Sequence, residues 1–450
     1  MARELFGTDG IRGVAGGYPL DPPTVFSAGV ALGRWAAGQG PVPELVIGTD
    51  PRESSQWIGE TVAAGLASAG VGVRFAGLIP TPGVAYLTRT GPFVAGVMIS
   101  ASHNQFQDNG IKVFTHTGFK LADREEEGLE QEILRLREAG MTASRQPLEI
   151  DESLGARYAD YLATTIGASL RGLRIVVDCG HGAASYLAPR LFERLGGRVD
   201  AIGCAPDGRN INFECGSLYP ATLRAEVQAR GADLGVAFDG DADRAVIVSR
   251  GGKTIDGDSV MLICARHWQD CGRLPNSNGA PVVVATVMSN LGLEKALEAR
   301  GIRLVRTPVG DKYVLEEMLR RGAVLGGEQS GHIIFREYAT TGDGLLTALR
   351  VLEIVRQSGK DLDTLASSFE IYPQRLLNVP VREKKPLEEM GSVRREIRAV
   401  EQALGGHGRV LVRFSGTEPL ARVMVEGRDG ATVNAYAERI AGAIRVALGT

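Results

Sequence analysis

Between residues 45 and 367 the chain alternates short β-branched runs with helical stretches, and this rhythm constrains the fold more than any other feature. Residues 45–48, 71–75, 94–99, 111–114, 174–178, 234–238, 245–249, 282–286 and 303–307 read as strands, most of them buried. A helix is expected to start at Asp50-Pro51-Arg52-Glu53, which offers a cap and a first-turn proline, and to run to about residue 69. Further helices are expected over 123–139, 153–166, 257–271, 291–300 and 344–356. Strand–helix–strand repetition of this kind predicts doubly wound α/β domains. After residue 368 the rhythm changes to strand, charged helix, two strands and a final helix, which predicts a small α+β domain. A chain of 450 residues is too long for one core, and the expected units are 1–150, 151–250, 251–368 and 369–450.

Composition narrows the function classes. Hydrophobic content of 44%, charged content of 23% and a formal net charge of −3 give no field for gripping nucleic acid or an anionic membrane. Any anion must be held by local groups. The N-terminus lacks the apolar core of a signal peptide and no stretch is long enough to span a bilayer, so a cytoplasmic protein is expected. Five scattered cysteines without a C-x-x-C pair read as reduced core thiols.

Four loops carry chemistry. The apolar run 94–99 stops at Ser100-Ala101-Ser102-His103-Asn104, presenting a hydroxyl at a strand end, where open α/β sheets place their chemistry. Alone, Ser-Ala-Ser-His is an ordinary polar turn. Asp239-Gly240-Asp241-Ala242-Asp243-Arg244 sits between two strands, so its loop doubles back and three carboxylates can converge. Their mutual repulsion calls for a cation, and an all-oxygen set selects a hard one such as Mg²⁺. A calcium loop of the EF-hand type is excluded, because Arg244 and Arg250 stand where it needs glycine and glutamate. Arg244 can orient the carboxylates or touch a phosphate on the nucleophile. In Gly327-Glu328-Gln329-Ser330-Gly331-His332, Glu328 and Ser330 can point the same way and bind vicinal hydroxyls of a sugar. Around Arg413-Phe414-Ser415-Gly416-Thr417 and Arg422, two guanidiniums, two hydroxyls and a glycine nest match a phosphate dianion. At the N-terminus, the three glycines around one arginine in Phe6-Gly7-Thr8-Asp9-Gly10-Ile11-Arg12-Gly13 suit either a tight loop that aims Arg12 inward or a surface turn with a solvated Arg12.

Nucleophile, metal loop, polyol loop and phosphate clamp together resemble the α-D-phosphohexomutase superfamily. The resemblance runs from Phe6 to about Gly427, and the wording of FGTDGIRG, the serine loop and GEQSGH is similar to its hexosamine-phosphate branch. It implies three domains of one topology plus a C-terminal domain around a central cleft. It also implies interconversion of glucosamine 6-phosphate and glucosamine 1-phosphate through phosphorylated Ser102 and a hexosamine 1,6-bisphosphate, with one Mg²⁺ on Ser102, Asp239, Asp241 and Asp243. His332 and Lys112 are implied as acid/base groups, Arg12 as an aid to proton movement, and His103 as a further catalytic neighbour. Glu328, Ser330, Arg244, Arg413, Ser415, Gly416, Thr417 and Arg422 are implied to hold the sugar phosphate. The sequence departs from the superfamily at Gln105 and Phe414, where proline is usual or frequent, which bears on loop rigidity.

Gln329 is typical of the glucosamine branch where relatives carry methionine. A phosphomannomutase or phosphoglucomutase would share every catalytic part, and a serine-nucleophile phosphatase would release phosphate instead of moving it. The expected partner is a small sugar phosphate, with no nucleic acid and no membrane, and a homodimer is among the assemblies this reading allows.

Overall fold

The computed structural model describes residues 4–7, 9–39, 43–277, 279–367, 370–386, 389–415 and 419–449. Four sheets follow one another along the chain. The first has six strands. Its core is the parallel trio Gly72–Leu78, Glu44–Thr49 and Ala95–Ile99, with Asp108–Thr115 antiparallel beyond it and the short N-terminal strands Gly10–Val14 and Phe6–Gly7 at the edge.

The second and third sheets repeat that core. Arg198–Ile202, Arg174–Asp178 and Leu234–Phe238 are parallel neighbours with Ala245–Ser249 antiparallel on the far side. Arg303–Thr307, Ala280–Thr286 and Leu325–Gly327 are likewise parallel, with Ile333–Phe335 antiparallel. In each case the first strand in sequence lies in the middle, the second beside it, and the third and fourth form a hairpin on the other side. The helices Ser55–Ser68 and Thr81–Thr90, Leu187–Arg194 and Pro220–Arg230, and Leu291–Glu298 and Asp311–Arg321 make the crossovers. The expected α/β units therefore share one topology, each a mixed sheet because its last strand returns antiparallel.

That common hairpin decides where the motifs fall. Its strands close at the pairs Ile99–Ile111, Phe238–Ala245 and Gly327–Ile333. The loops left open are the serine loop, the aspartate loop and the Glu328 loop, so three motifs occupy one topological position in three sheets. The last sheet is a three-stranded antiparallel meander of Gln374–Pro380, Leu420–Gly427 and Gly408–Phe414, backed by the helices Gly391–Leu404 and Gly430–Leu448. The described end of its hairpin carries Arg413, Ser415 and Arg422. Among the described residues no helix is long and apolar enough to cross a membrane.

Two expectations change. The first-sheet helix begins at Ser55 and not at Asp50. Asp50 and Arg52 are instead buried in an irregular segment as an ion pair with Arg52 Nε 2.8 Å from Asp50 Oδ2. Of the cysteines, Cys179, Cys215 and Cys264 are buried, but Cys204 is half-buried and Cys271 exposed.

The glycine loop after Arg174–Asp178 has a packing role. Ala183 N donates to Gly240 O at 2.8 Å, and a Cβ on Gly182 would fall 2.4 Å from that same oxygen. Gly182→Ala should therefore cost about 1–3 kcal/mol by overpacking against the aspartate loop. Urea unfolding should show a lower midpoint, with a larger loss for Gly182→Ala than for Gly155→Ala, whose Cβ would meet open space.

Candidate active site

Ser102 ends the buried strand Ala95–Ile99 on a left-handed backbone, φ +53°. Its Oγ donates to Asp239 Oδ2 at 2.7 Å and accepts from Arg244 Nη1 at 2.6 Å, with His103 Nδ1 at 3.4 Å. The serine is fully buried, and His103 and Arg244, which contact its Oγ, line an open cavity of about 620 Å³. Gly240 permits the approach of the two loops, since a Cβ there would lie 2.5 Å from Ser102 O.

The three aspartates bring a ligating atom each to within 4.8 Å of one another. Several groups from other sheets close on them. Lys112 Nζ stands 2.7 Å from Asp241 Oδ2, 3.0 Å from Asp9 Oδ2 and 3.7 Å from Asp243 Oδ2. Thr81 Oγ1 donates to Asp241 Oδ2 at 2.5 Å. His332 Nδ1 lies 3.5 Å from Asp243 Oδ2, and its Nε2, which accepts from Gly342 N at 2.9 Å, lies 3.5 Å from Asp311 Oδ2. Lys120 Nζ bridges Asp311 Oδ2 at 2.6 Å and Asp9, which also pairs with Arg12.

Protonation follows this crowding. Burial, then Asp243 and Asp241, push the Asp239 carboxyl up to about 7. Burial also opposes ionisation of Asp243, yet Arg244, His332 and Lys112 hold it well below the usual carboxylate range. Burial opposes the charged forms of Lys112 and His332, but Asp241 and Asp9 around the one and Asp243 and Asp311 around the other raise both. Burial and the Arg244 guanidinium bring His103 down to about 4, so it is a neutral ring beside Ser102.

The aspartate set fits a divalent cation. Asp241 Oδ1 and Asp243 Oδ1 are buried and accept no hydrogen bond among the described residues, a costly state that a cation would relieve. All ligating atoms are oxygens, the donor type hard cations take.

Four sheets line the cavity. Asp9, Arg12 and His103 come from the first, Asp243 and Arg244 from the second, Asp311, Glu328 and His332 from the third, and Arg413, Ser415 and Arg422 from the fourth. Arg413 and Arg422 are direct cross-strand partners. Like charges so placed repel, and a phosphate dianion is what two guanidiniums can share. Burial and Arg422 lower the Arg413 pKa. Glu328 Oε1 accepts from Gly310 N at 3.2 Å and its Oε2 from Ser330 Oγ at 3.3 Å. Ser330 is exposed at the loop tip, while Lys112 lies behind the carboxylates and does not line the cavity. Gly416 and Thr417 lie outside the described residues.

Sequence reasoning missed Asp9, Asp50, Arg52, Lys120 and Asp311. Asp9 sits within the same motif as Arg12, and Asp311 opens the helix Asp311–Arg321, so each carried a local signal. Nothing local marks Lys120.

Comparison with known proteins agrees with this geometry. Residues 3–140, 156–252, 256–372 and 376–443 match, in order, the phosphoglucomutase/phosphomannomutase α/β/α domains I, II and III and C-terminal domain. A phosphoglucosamine mutase of Solibacter usitatus is 60% identical over 449 residues, covering 100% of both chains. The chain belongs to the phosphoglucomutase/phosphomannomutase family, in its phosphoglucosamine mutase branch. It is accordingly an isomerase. A phosphoglucosamine mutase of Koribacter versatilis is 49% identical over 456 residues, covering 99% of this chain and 98% of its own. Among solved structures, a family protein of Burkholderia thailandensis superposes with a TM-score of 0.80 at 25% identity, covering 98% and 99% of the two chains. N-acetylphosphoglucosamine mutase of Aspergillus fumigatus, in complex with GlcNAc-6P and magnesium, shares the fold at a TM-score of 0.65 and 19% identity, covering 99% and 96%.

A cation that relieves the aspartate cluster should stabilise the fold by mass action. Adding Mg²⁺ to protein stripped with EDTA should raise its melting temperature, and the rise should vanish in Asp241→Asn. Differential scanning fluorimetry across a Mg²⁺ series checks this.

Proposed function

We propose that the protein interconverts glucosamine 6-phosphate and glucosamine 1-phosphate in the cytoplasm, through phosphorylated Ser102 and a hexosamine 1,6-bisphosphate. One observation carries the reading: Ser102 Oγ lies 2.7 Å from Asp239, next to His103 and Arg244 of a cavity that the Arg413–Arg422 pair also lines. A donor and a second phosphate site on one cavity are what moving a phosphoryl group between two ends of a sugar requires. The names of the close relatives support the sugar, and the A. fumigatus complex with GlcNAc-6P and magnesium supports the ligand class and the metal.

In the first half-reaction the P–Oγ bond of phosphoserine breaks as a P–O bond to the free sugar hydroxyl forms, and that hydroxyl's proton passes to a base. His332 lines the cavity and takes this role in its neutral form, the form that Asp243 and Asp311 disfavour, while Lys112 holds Asp241 and Asp9 in place. Arg244 steadies Oγ as charge develops on it, His103 packs as a neutral neighbour, and Arg12, which lines the same cavity and pairs with Asp9, assists the proton's movement. Mg²⁺ held by Asp239, Asp241, Asp243 and a phosphoserine oxygen would offset the charge of the transferring group. Arg413, Ser415 and Arg422, with Gly416 and Thr417, hold the phosphate that is not reacting. Glu328 and Ser330 receive hydroxyl or ammonium donors of the ring in either orientation. The bisphosphate then presents its other end, Oγ bonds to that phosphorus, and the sugar oxygen departs with a proton.

A serine-nucleophile phosphatase would need no second phosphate site, which the guanidinium pair supplies. Intact mass before and after phosphatase treatment should show one phosphate lost, mapping to Ser102. Ser102→Ala should abolish mutase activity on glucosamine phosphate while leaving sugar-phosphate binding within about twofold, because the clamp is untouched. Survival of activity in that variant would sink the phosphoserine mechanism, and release of inorganic phosphate by the wild type would favour the hydrolase.

A further inference from the structure

Two side chains outside the motifs that line the cleft converge on one atom, the carbonyl oxygen of Ser102. Arg52 Nη2 and Asn212 Nδ2 each donate to it at 2.9 Å, from the first and second α/β units. Both also reach Asn104 O, at 2.9 and 3.1 Å, and Arg52 Nη1 donates to Asp108 O at 3.0 Å and to Gln105 O. Asp50 anchors the arrangement from the other side. Its Oδ2 accepts from Arg52 Nε at 2.8 Å and from Ser100 Oγ at 2.7 Å, and Ser100 Oγ accepts from Ser102 N at 2.9 Å. All of these side chains are buried.

Ser102 is thus gripped at both its N–H and its C=O, in a left-handed conformation that serine keeps only where its surroundings impose it. Its Oγ, by contrast, touches the charged groups Asp239 and Arg244, whose contacts must change when a phosphate is added to or removed from that oxygen. The main-chain grip involves no atom that changes. It is therefore the part of the site that can hold Oγ equally in both states.

We propose that Arg52 and Asn212 are positioning residues that fix Ser102 Oγ through its carbonyl, and so commit the bisphosphate to the second transfer before it escapes. The inference rests on the phosphoserine reading above. After the first transfer Ser102 is a free hydroxyl and the sugar carries both phosphates. Completion needs Oγ to lose its proton and bond to phosphorus while the sugar oxygen leaves and gains a proton. A loosened Oγ slows that step, whereas escape of the bisphosphate keeps its own rate. Each escape leaves an unphosphorylated, idle enzyme.

Arg52→Lys keeps a charge beside Asp50 but cannot fork across several carbonyls. Asn212→Gly removes the amide while accommodating the backbone at φ +59°. Phosphorylated wild type and variants are turned over with glucosamine 1-phosphate and Mg²⁺, and phosphate on Ser102 is followed by intact mass. Both variants should lose phosphate per turnover about tenfold faster than wild type, the scale expected for a misplaced reacting group. Added glucose 1,6-bisphosphate should restore most of their rate. A folded variant with unchanged melting temperature that leaks no faster than wild type overturns the proposal, as does a slow variant that the bisphosphate does not rescue. Should Arg52→Lys not fold, Asn212→Gly decides by the same two readouts. Failure of the underlying reading looks different: the wild type itself would carry no phosphate on Ser102.

Discussion

The structure depends on a cage of opposite charges contributed by three sheets, buried at Asp239, Asp241, Asp243, Lys112 and His332 and half-buried at Asp9, Arg12, Lys120, Arg244 and Asp311. Asp239, Asp241 and Asp243 come from the second, Asp9, Arg12, Lys112 and Lys120 from the first, and Asp311 and His332 from the third, with Arg244 beside the aspartates. Unit charges 4 Å apart interact by about 4 kcal/mol at an effective dielectric of 20, so no sheet could bury its own share alone. Five carboxylates here face four fixed cations and one imidazole, a balance near neutrality. A divalent cation and a phosphoserine, which carries up to about two negative charges, would enter this balance as a nearly neutral pair. Loading the site therefore leaves the net charge of the cage close to what the fold already compensates, and the same scaffold can serve with and without the phosphate.

The cage can form because one topology is used three times. Each α/β unit ends in the same hairpin, and the hairpin loops of the first two units are in contact at Gly240 and Ser102. The third joins through Ala245 N to Gly331 O at 3.2 Å and Gly344 N to Ala242 O at 3.0 Å. The last sheet follows a different logic. Glu426 accepts from Leu291 N at 2.9 Å and pairs with Arg409, which donates to Val287 O at 2.8 Å. Those contacts sit at one end of the hairpin Gly408–Phe414 and Leu420–Gly427, and Arg413 and Arg422 sit at the other. Anchorage at the far end and phosphate-holding groups at the tip suit a unit that must admit and release a charged sugar.

What could be read from sequence was what local pattern encodes: strand runs, helices, and loops whose residue types imply a chemistry. The alternation fixed the α/β class, and three aspartates at alternate positions announced a cation site before any geometry was known. The threefold topology was not visible as a repeat, because it lives in strand order and not in side chains. Asp50-Pro51-Arg52 misled for a physical reason. An aspartate and a proline before an apolar helix have the composition of a cap, but here Asp50 caps nothing and turns inward to hold Arg52 and Ser100. Which of two uses a polar residue serves depends on partners 50 residues away, such as Ser102 and Asn104, and no local window contains them. The departure at Gln105 has the same explanation. Loop rigidity does not need a proline where an arginine already bonds the carbonyls of residues 102, 104, 105 and 108.

Gln329, the residue that the resemblance ties to the glucosamine branch, does not line the cavity. Its amide does not enter the cavity. The Nε2 atom reaches toward Asp256 Oδ2 at 3.4 Å, and the main-chain carbonyl of the same residue accepts from Gly257 N at 3.0 Å. Asp256 in turn caps the helix Gly257–Asp270 by accepting from Ser259 N at 3.0 Å. Gln329 therefore braces the loop against that helix, and there is no slack, since a Cβ on Gly257 would fall 1.9 Å from Glu328 O. Of the carboxylates that line the cavity, Asp9, Asp243 and Asp311 are engaged by Arg12, Lys112, Lys120 and Arg244, whereas Glu328 accepts from Gly310 N and Ser330 Oγ. An amino sugar carries an ammonium where a neutral hexose carries a hydroxyl, and a carboxylate such as Glu328 would distinguish these by charge. Methionine at position 329 could fill the same space but could donate no hydrogen bond to Asp256. The position of Glu328 would then depend on a neighbouring residue that does not itself line the cavity.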